Sequence, residues 1–322
     1  MRGRRILVAY ALREEDGKPS FSVNSVYSTL RRKYSTKLYF LENLDDFLLT
    51  LRKFKPYAVF NLVEDYISRD NYSFDYVPSL LEMLGVPYTG GDTRSQVMTT
   101  NKLEYKAILR KHHVSTPESV LCSERLDFDR LRVGFPAIIK PVSGAGSDEI
   151  SVHSVVDDVA DFRRRLAWCR RECPNHLFYL EEFIDGVEVT VGFISDAGKV
   201  EVYPPVERVY DDDIVRWRHR VFTKKAKFYP DSKEYKCVSN RRFKAGKRVL
   251  DRIEKEVLLT VRFLRLKGYG RVDIMLRDGV PYVIDVNVNP VLDSESAFTY
   301  SAACAGIRYA RLLDRIIAAR NR

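Results

Sequence analysis

The feature that most constrains the fold is a pair of apolar segments late in the chain, each of which carries an acidic residue. The sequence predicts strands over Arg271–Leu276 and Tyr282–Val286, joined by a turn at Arg277-Asp278-Gly279. Residues two apart in a strand project from the same face of a sheet. The two strands therefore predict a row of polar side chains on one face, namely Arg271, Asp273, Asp285 and Asn287.

This polar row is expected to bind a divalent cation and phosphate. Two buried carboxylates repel each other unless a cation lies between them, and strand interiors otherwise disfavour Asp and Asn. Hard oxygen donors in this number suit Mg²⁺, with Mn²⁺ as an alternative, and water and phosphate oxygens complete the shell. Arg271 can neutralise the charge of a transferred phosphoryl group. A polar strand end with solvated acids is the competing interpretation.

A second candidate binding element is the apolar strand Ala137–Lys140, which carries a single lysine. A buried ammonium group needs an anionic partner, and a phosphate is a natural partner for Lys140. The small residues of Ser143–Ser147 follow at once, and their backbone N–H groups could cradle phosphate oxygens. A plain turn between strands is the simpler interpretation of that segment.

A third candidate is the acceptor-rich strand end that runs from Tyr179 to Glu188. Its backbone groups could hold an adenine ring, and the Glu188 carboxylate could accept hydrogen bonds from ribose hydroxyls. An edge strand with solvated glutamates would give the same sequence pattern. The segment therefore adds to the nucleotide hypothesis without establishing it.

The first 92 residues alternate predicted strands and helices, which is the pattern of a parallel sheet with helices on its faces. A break follows at Gly90-Gly91-Asp92, and the next helix has Lys102 and Lys106 on one face. The predicted strands are Ile6–Tyr10, Lys37–Phe40 and Ala58–Leu62, and the predicted helices are Val23–Lys33, Leu44–Phe54 and Asp75–Leu84.

The rest of the chain also mixes helices and strands, so the fold class is α/β (α+β). The stretch Arg208–Arg242 is charged, aromatic and weakly periodic, and we expect a long functional loop or lid there. The other predicted elements are strands over Ile150–Val152, Phe178–Glu182 and Val187–Ser195, the last two joined by a turn at Asp185-Gly186, and helices over Val155–Arg171, Leu250–Leu264 and Tyr309–Ala319.

Composition narrows the possible partners and the compartment. The chain has 322 residues, 45% of them hydrophobic, which suffices for two or three domains. The formal net charge of +10 is scattered over helical segments, so solvated helix faces explain it better than nucleic acid does. The absence of a signal peptide and of a long apolar run, together with five irregularly spaced Cys, favours a cytoplasmic protein. We therefore expect neither nucleic-acid nor membrane partners.

Taken in order, these blocks resemble the ATP-grasp superfamily, and most closely the D-alanine–D-alanine ligase family. The resemblance spans nearly the whole chain, and its C-terminal block is the most specific part. The residues that carry it are Val86–Gly90, Asn101-Lys102, Ile139–Pro141, Glu181–Glu188, Gly270–Asp273, Asp285–Asn287, Ser294 and Ser296.

The resemblance implies an N-terminal parallel-sheet domain, residues 1–92, followed by a two-lobed ATP-grasp fold. The central lobe would span residues 93–190 and the C-terminal lobe residues 191–322, with a mobile loop at 208–242. The implied cofactors are ATP and magnesium, held between the two lobes. The implied substrates are a small carboxylate and a small amine, both amino acids, and the implied assembly is a homodimer.

The same resemblance implies a binding or catalytic role for each of these sequence segments. The ATP-binding residues would be Lys102, Lys140 and Ser147 at the phosphates, Glu181, Glu182, Phe183 and Ile184 at the adenine, and Glu188 at the ribose. The magnesium ligands would be Asp273, Asp285 and Asn287. The catalytic residues would be Arg271, Ser296 at the carboxylate of the second substrate, and Lys227 on the mobile loop.

The implied reaction is a ligation in which a carboxylate attacks the γ-phosphate of ATP and an amine then displaces phosphate from the acyl phosphate. The sequence departs from the family pattern in places that concern this reaction. Glu149 and Val291 stand where glycines are common, and Asp285 stands for a glutamate. The segments that bind the first substrate in the family have a different sequence in this chain, at Ala9–Arg13 and Phe60–Asp65. D-alanine therefore does not follow as the first substrate.

Two alternatives remain open on the sequence. A nucleotide-binding homologue without turnover would explain the substitutions at Glu149 and Val291. A nucleic-acid-binding protein is the more remote alternative, since only the net charge and the basic segment Arg216–Arg220 favour it.

Overall fold

The computed structural model describes residues 3–11, 19–63, 76–144, 150–211, 219–223, 225–226, 229 and 231–321. These residues form three β-sheets that follow one another along the chain. The mixed α/β class predicted from the sequence is confirmed.

The first sheet is parallel, with strands β1 (Arg5–Tyr10), β2 (Ser35–Phe40) and β3 (Ala58–Leu62) in the order β2-β1-β3. Both faces are buried, because Ile6 and Val8 of β1 pack in one apolar cluster and Leu7 and Ala9 pack in another. The prediction of a parallel sheet is therefore confirmed. The helices of this region are α1 (Phe21–Leu30), α2 (Leu44–Phe54) and α3 (Tyr76–Met83).

The second sheet is antiparallel, with its strands in the order β4-β7-β5-β6. Its strands are β4 (Ser119–Leu121), β5 (Ala137–Pro141), β6 (Val155–Val156) and β7 (Phe178–Glu182), and its helices are α4 (Thr93–Thr100), α5 (Lys102–Lys111) and α6 (Val159–Glu172). One face of this sheet packs against α6 through Ala137, Ile139, Phe178 and Leu180. The alternate residues of β5 and β7 therefore face away from that helix, toward α5 and the cleft.

Two predictions in this lobe are wrong. The strand predicted over Ile150–Val152 does not form, since Val152–Ser154 is a 3-10 turn capped by the Ser151 side chain. The helix predicted from Val155 begins at Val159 instead. The Asp158 carboxylate accepts the backbone N–H of Asp161 at 2.8 Å, and an N-cap of this kind fixes where a helix begins.

The third sheet has six strands, in the order β11-β10-β8-β12-β13 with β9 paired to β8. Its strands are β8 (Val187–Asp196), β9 (Lys199–Val202), β10 (Val206–Tyr210), β11 (Val238–Arg242), β12 (Gly268–Arg277) and β13 (Val280–Val288). One face is apolar and packs with helix α8 (Lys247–Phe263) in a shared core. The opposite face carries the polar residues of the site.

The strands predicted over Phe178–Glu182 and Val187–Ser195 are confirmed as β7 and β8, and the short connection between them links the second sheet to the third. One further prediction is corrected by this sheet. The stretch Arg208–Arg242 is not one long loop, because β10 and β11 pair along its two ends and the short helix α7 (Lys233–Lys236) lies between them. Cross-strand pairing thus overrides the weak local periodicity.

The last two helices, α9 (Ala297–Cys304) and α10 (Tyr309–Ala318), return to the first sheet. Phe298, Leu313 and Ile317 share an apolar cluster with Val8 and Phe60. The first sheet and the C-terminal lobe therefore have a common core. Within the described ranges, no helix is long and apolar enough to cross a membrane.

Candidate active site

A continuous row of polar side chains crosses the third sheet on the face opposite α8. The register places Arg271 opposite Asn287 and Asp273 opposite Asp285. Thr190 of β8 lies opposite Asp273 on the other side. The sheet thus brings the predicted magnesium ligands and Arg271 together on one face, although their roles remain predictions.

The centre of this row is the Asp273 carboxylate, which is almost fully buried. Thr190 Oγ1 donates to Asp273 Oδ1 at 2.7 Å, and Arg271 Nη1 lies 3.0 Å from Asp273 Oδ2. Burial raises the pKa of Asp273, Arg271 lowers it, and the carboxylates of Asp285 and Glu188 raise it further, with a net increase. The surrounding charge therefore favours an added cation at this carboxylate.

Asp285 is held by a residue of another lobe. Tyr105 Oη, from α5, donates to Asp285 Oδ1 at 3.2 Å. Tyr105 is completely buried, and burial together with Asp285 raises its pKa well above the ordinary value. The phenol therefore stays protonated and remains a donor. This contact could not be predicted from local patterns, because α5 and β13 are remote along the chain.

The donor set fits magnesium better than a softer metal. Asp273, Asp285 and Asn287 offer two carboxylates and one amide oxygen, and Mg²⁺ usually takes one or two carboxylates plus phosphate and water oxygens. Among the described residues, no group of three His, Cys, Asp or Glu side chains could form an all-protein metal site. The residues present therefore suit an ion that is shared with a bound phosphate.

A buried charge network lies in the second sheet, on the face turned toward the cleft. The Glu181 carboxylate is 1% exposed and pairs with Lys106 and, at 2.6 Å, with Lys140. Burial alone would raise the pKa of Glu181, but the two ammonium groups lower it below the usual range. Burial, opposed by Glu181, lowers the pKa of Lys106 to about 8.

This network changes the interpretation of two predicted ATP contacts. The anion that the buried Lys140 requires is Glu181 of its own sheet, whereas the sequence suggested a phosphate. The Glu181 side chain is occupied in the same way, since both of its carboxylate oxygens pair with lysines. Lys140 remains 13% exposed and could still reach a phosphate from this position.

Lys102 lies in the first turn of α5, next to the segment predicted to cradle phosphates. Its Nζ donates to the Gly144 carbonyl at 2.6 Å, which places the ammonium group at the start of that segment. Ser147 and Glu149 lie outside the described residues, as does Lys227. Their predicted roles are not addressed by the structure.

The other predicted nucleotide contacts gather where β7 leads into β8. Ile184 is buried, Glu182 pairs with Arg277 at 3.0 Å, and Phe183 packs edge-on against His219. Phe183 also lines a cavity of about 120 Å³ together with Glu188, Met275, Arg208 and Tyr210. Ligand pockets commonly enclose about 300–1,000 Å³, so a nucleotide would need this cavity to widen.

Sequence reasoning identified Glu188 but missed the residues that hold it. Arg208 Nε donates to Glu188 Oε1 at 2.9 Å, and Tyr210 Oη donates to Oε2 at 2.8 Å. Both donors belong to β10, which the sequence assigned to a loop. Their two-residue spacing was the one available signal, because it is the spacing of a strand face.

Ser296 is the N-cap of helix α9. Its hydroxyl donates to the Val291 carbonyl at 2.8 Å and accepts the backbone N–H of Thr299 at 3.5 Å. The first N–H groups of a helix attract anions. The role of Ser296 at a substrate carboxylate, which the resemblance implies, stays a prediction.

Comparisons with known proteins agree with this architecture. Residues 97–318 match a family model described as the D-ala D-ala ligase C-terminus. The D-alanine–D-alanine ligase of Cupriavidus pinatubonensis is 28% identical over 243 residues, which cover 74% of this chain and 69% of that one. That of Bacillus anthracis is 30% identical over 244 residues, which cover 75% and 73%.

Solved structures extend the likeness to the first sheet. The structure of the Bacillus anthracis D-alanine–D-alanine ligase complexed with ATP superposes with a TM-score of 0.75 at 25% identity, covering 98% of this chain and 97% of that one. The Coxiella burnetii D-alanine–D-alanine ligase, at 17% identity, has a TM-score of 0.71 over 98% and 93% of the two chains and shows the shared fold alone.

The three sheets, the polar row on the third sheet and the matched relatives define an ATP-dependent carboxylate–amine ligase with an ATP-grasp fold. The family-model match covers more than half of the chain, and a relative of 30% identity covers three quarters of it. The chain therefore belongs to the D-alanine–D-alanine ligase family.

Proposed function

We propose that the protein joins two amino acids through an amide bond while it converts ATP to ADP and phosphate. The observation that carries this proposal is the polar row on the third sheet, which runs from Glu188 through Asp273 to Asp285 and Asn287. A nucleotide laid along this row would have its ribose at Glu188 and its phosphates at the acidic end. The relatives, which are named for a ligation of D-alanine, support the same reaction class.

The residues of the row suit a reaction through an acyl phosphate. A substrate carboxylate oxygen attacks the γ-phosphorus, and the bond to the ADP oxygen breaks. An amine then attacks the acyl carbon, loses a proton, and phosphate leaves. Arg271, held 3.0 Å from Asp273, presents a fixed positive charge to the transferred group. Asp273, Asp285 and Asn287 would hold magnesium, which neutralises phosphate charge when bound.

The second substrate would bind near α9, with its carboxylate at Ser296 and at the first N–H groups of that helix. The first substrate is proposed to be an amino acid other than D-alanine. The support is the sequence at the ends of β1 and β3, where Ala9–Arg13 and Phe60–Asp65 depart from the family pattern. These strand ends lie at the edge where open α/β sheets bind ligands.

A screen of amino-acid pairs tests this proposal. Purified protein is incubated with ATP, magnesium and pairs of amino acids of both configurations, while phosphate release is recorded and products are identified by mass spectrometry. We expect phosphate release with one defined pair of amino acids and little phosphate release with D-alanine alone. An Asp273→Asn variant should lose most of the turnover. Nucleotide binding without release for any pair would instead support a homologue that binds ATP without turnover.

A further inference from the structure

The strand β10 contributes two donors that converge on the predicted ribose acceptor. The ladder between β10 and β8 pairs Val206 with Thr190 and Glu207 with Val189, so Arg208 comes next to Glu188 at its end. Arg208 Nε donates to one carboxylate oxygen at 2.9 Å, and Tyr210 Oη donates to the other at 2.8 Å. With one donor on each oxygen, the carboxylate has a fixed plane.

This pair is withdrawn from solvent on both sides. The side chain of Arg208 is 7% exposed and that of Glu188 is 13% exposed. Ion pairs that are buried to this degree add little net stability, and their better-attested use is to fix one arrangement among several. The pair is therefore better explained by a need for a defined Glu188 geometry than by stability alone.

The guanidinium group is itself fixed from a third direction. Its central carbon lies 3.5 Å from the centroid of the Phe222 ring, which is a close cation–π contact. Burial lowers the pKa of Arg208, but Glu188 and Tyr210 raise it by more, so the side chain stays charged. An arginine held by a carboxylate and a ring has little freedom to move.

The fixed carboxylate faces the cavity where the nucleotide is expected. Glu188, Arg208 and Tyr210 line that cavity with Phe183 and Met275. A carboxylate that lines a cavity can accept hydrogen bonds from the hydroxyl groups of a ligand bound there. Two carboxylate oxygens held in one plane are suited to accept hydrogen bonds from two adjacent hydroxyl groups.

We propose that Arg208, assisted by Tyr210, is a positioning residue that makes the site select the ribose of the nucleotide. It does so by holding the Glu188 carboxylate where both ribose hydroxyls can donate to it. The proposal rests on the proposed function, because it assumes that ATP lies along the polar row.

The test compares ATP with 2′,3′-dideoxy-ATP, which shares the base and triphosphate but lacks the two hydroxyls. Binding of each to the full chain is measured by calorimetry in magnesium buffer. Hydrogen bonds to a charged acceptor predict that the wild type binds ATP at least about tenfold more tightly. In Arg208→Met, the ratio should fall to about two- or threefold, with affinity for the dideoxy nucleotide nearly unchanged.

Two further variants keep the test decisive. Arg208→Gln retains a donor if the methionine variant does not fold, and its ratio should lie between the two. Arg241→Met removes a matched pair with Glu207 between β10 and β11, at 2.8 Å, where the side chain is exposed. That control should keep the wild-type ratio.

The outcomes separate this proposal from the proposed function. An Arg208→Met variant that keeps the wild-type ratio, or that binds ATP more tightly because the arginine competes with ribose, overturns the proposal. A wild type that binds both nucleotides equally overturns it as well, while ATP-dependent ligation stands. A wild type that binds neither nucleotide contradicts the proposed function itself.

Discussion

At the scale of single residues, the site depends on side chains that hold other side chains. Asp285 is one methylene shorter than the glutamate usual in the family, and Tyr105 reaches it from α5. Glu188 is reached from β10 by Arg208 in the same manner. The motif strands thus supply the acids, while residues outside those strands set their orientation.

Replacement of Tyr105 by Phe should weaken magnesium binding without removing a ligand. Loss of the donor leaves Asp285 less ordered, and such supporting hydrogen bonds typically change metal affinity by about 10- to 100-fold. The metal affinity is measured by titration of Mg²⁺ or Mn²⁺ into the ADP-bound protein. Tyr88→Phe is the matched control, since Tyr88 is equally buried and donates to the Glu82 carboxylate away from the site. An unchanged affinity in Tyr105→Phe would show that this bond does not orient Asp285.

Replacement of Glu181 by Gln should destabilise the protein in a pH-dependent way. The change leaves two buried ammonium groups without their anion, which costs about 3–5 kcal/mol at pH 7. The folded-state pKa of Glu181 is lowered, so its contribution is complete above about pH 5 and is lost as the pH falls through the folded value. Urea unfolding of both proteins from pH 7 to pH 3 measures this difference. If the difference in the free energy of unfolding between the two proteins stayed constant down to pH 3, Glu181 would not be the ionised partner of the two lysines.

At the scale of elements, local signals fixed some boundaries and tertiary pairing fixed others. Helix α2 was predicted with its observed limits, because Asn43 caps its start and Lys55 adopts a left-handed conformation at its end. Helix α6 was predicted four residues too early, since the apolar pattern runs back through β6. Strands β10 and β11 were missed because their charged residues face solvent or the cleft.

Replacement of Asp158 by Ala should shorten or fray the start of α6. The loss of an N-cap typically costs about 1 kcal/mol, and Asp158→Asn should retain most of it because the amide oxygen still accepts. Thermal unfolding and helical circular dichroism of the two variants give the comparison. Equal losses in both would mean that the carboxylate charge matters more than the cap bond.

At the scale of the whole molecule, the first sheet and the C-terminal lobe are joined by a contact that admits no side chain. Gly268 has a φ of +77°, and a Cβ there would lie 1.9 Å from the Gly90 carbonyl oxygen. Asn321 Nδ2 donates to the same carbonyl at 2.9 Å. The third sheet, which carries the polar row, is therefore held against the first sheet by backbone packing.

Replacement of Gly268 by Ala should disturb this junction more than backbone strain alone would. Gly198 has a φ of +82° with nothing within 4 Å, so Gly198→Ala isolates the cost of the left-handed conformation, about 1–2 kcal/mol. Overpacking against Gly90 should add about 1–3 kcal/mol in Gly268→Ala. Urea denaturation midpoints measure both. Equal destabilisation of the two variants would show that the junction yields at little cost.

The class of the fold and the residues of the polar row follow from sequence patterns alone. Alternation along two strands places Arg271 with Asp273 and Asp285 with Asn287 on one face, and that inference needs no knowledge of distant contacts. The tertiary structure alone decided which side chains hold the acids, because Tyr105, Arg208 and Lys106 reach the site from elements far away along the chain. Strand order and helix packing bring these residues together, and no local periodicity records either of them.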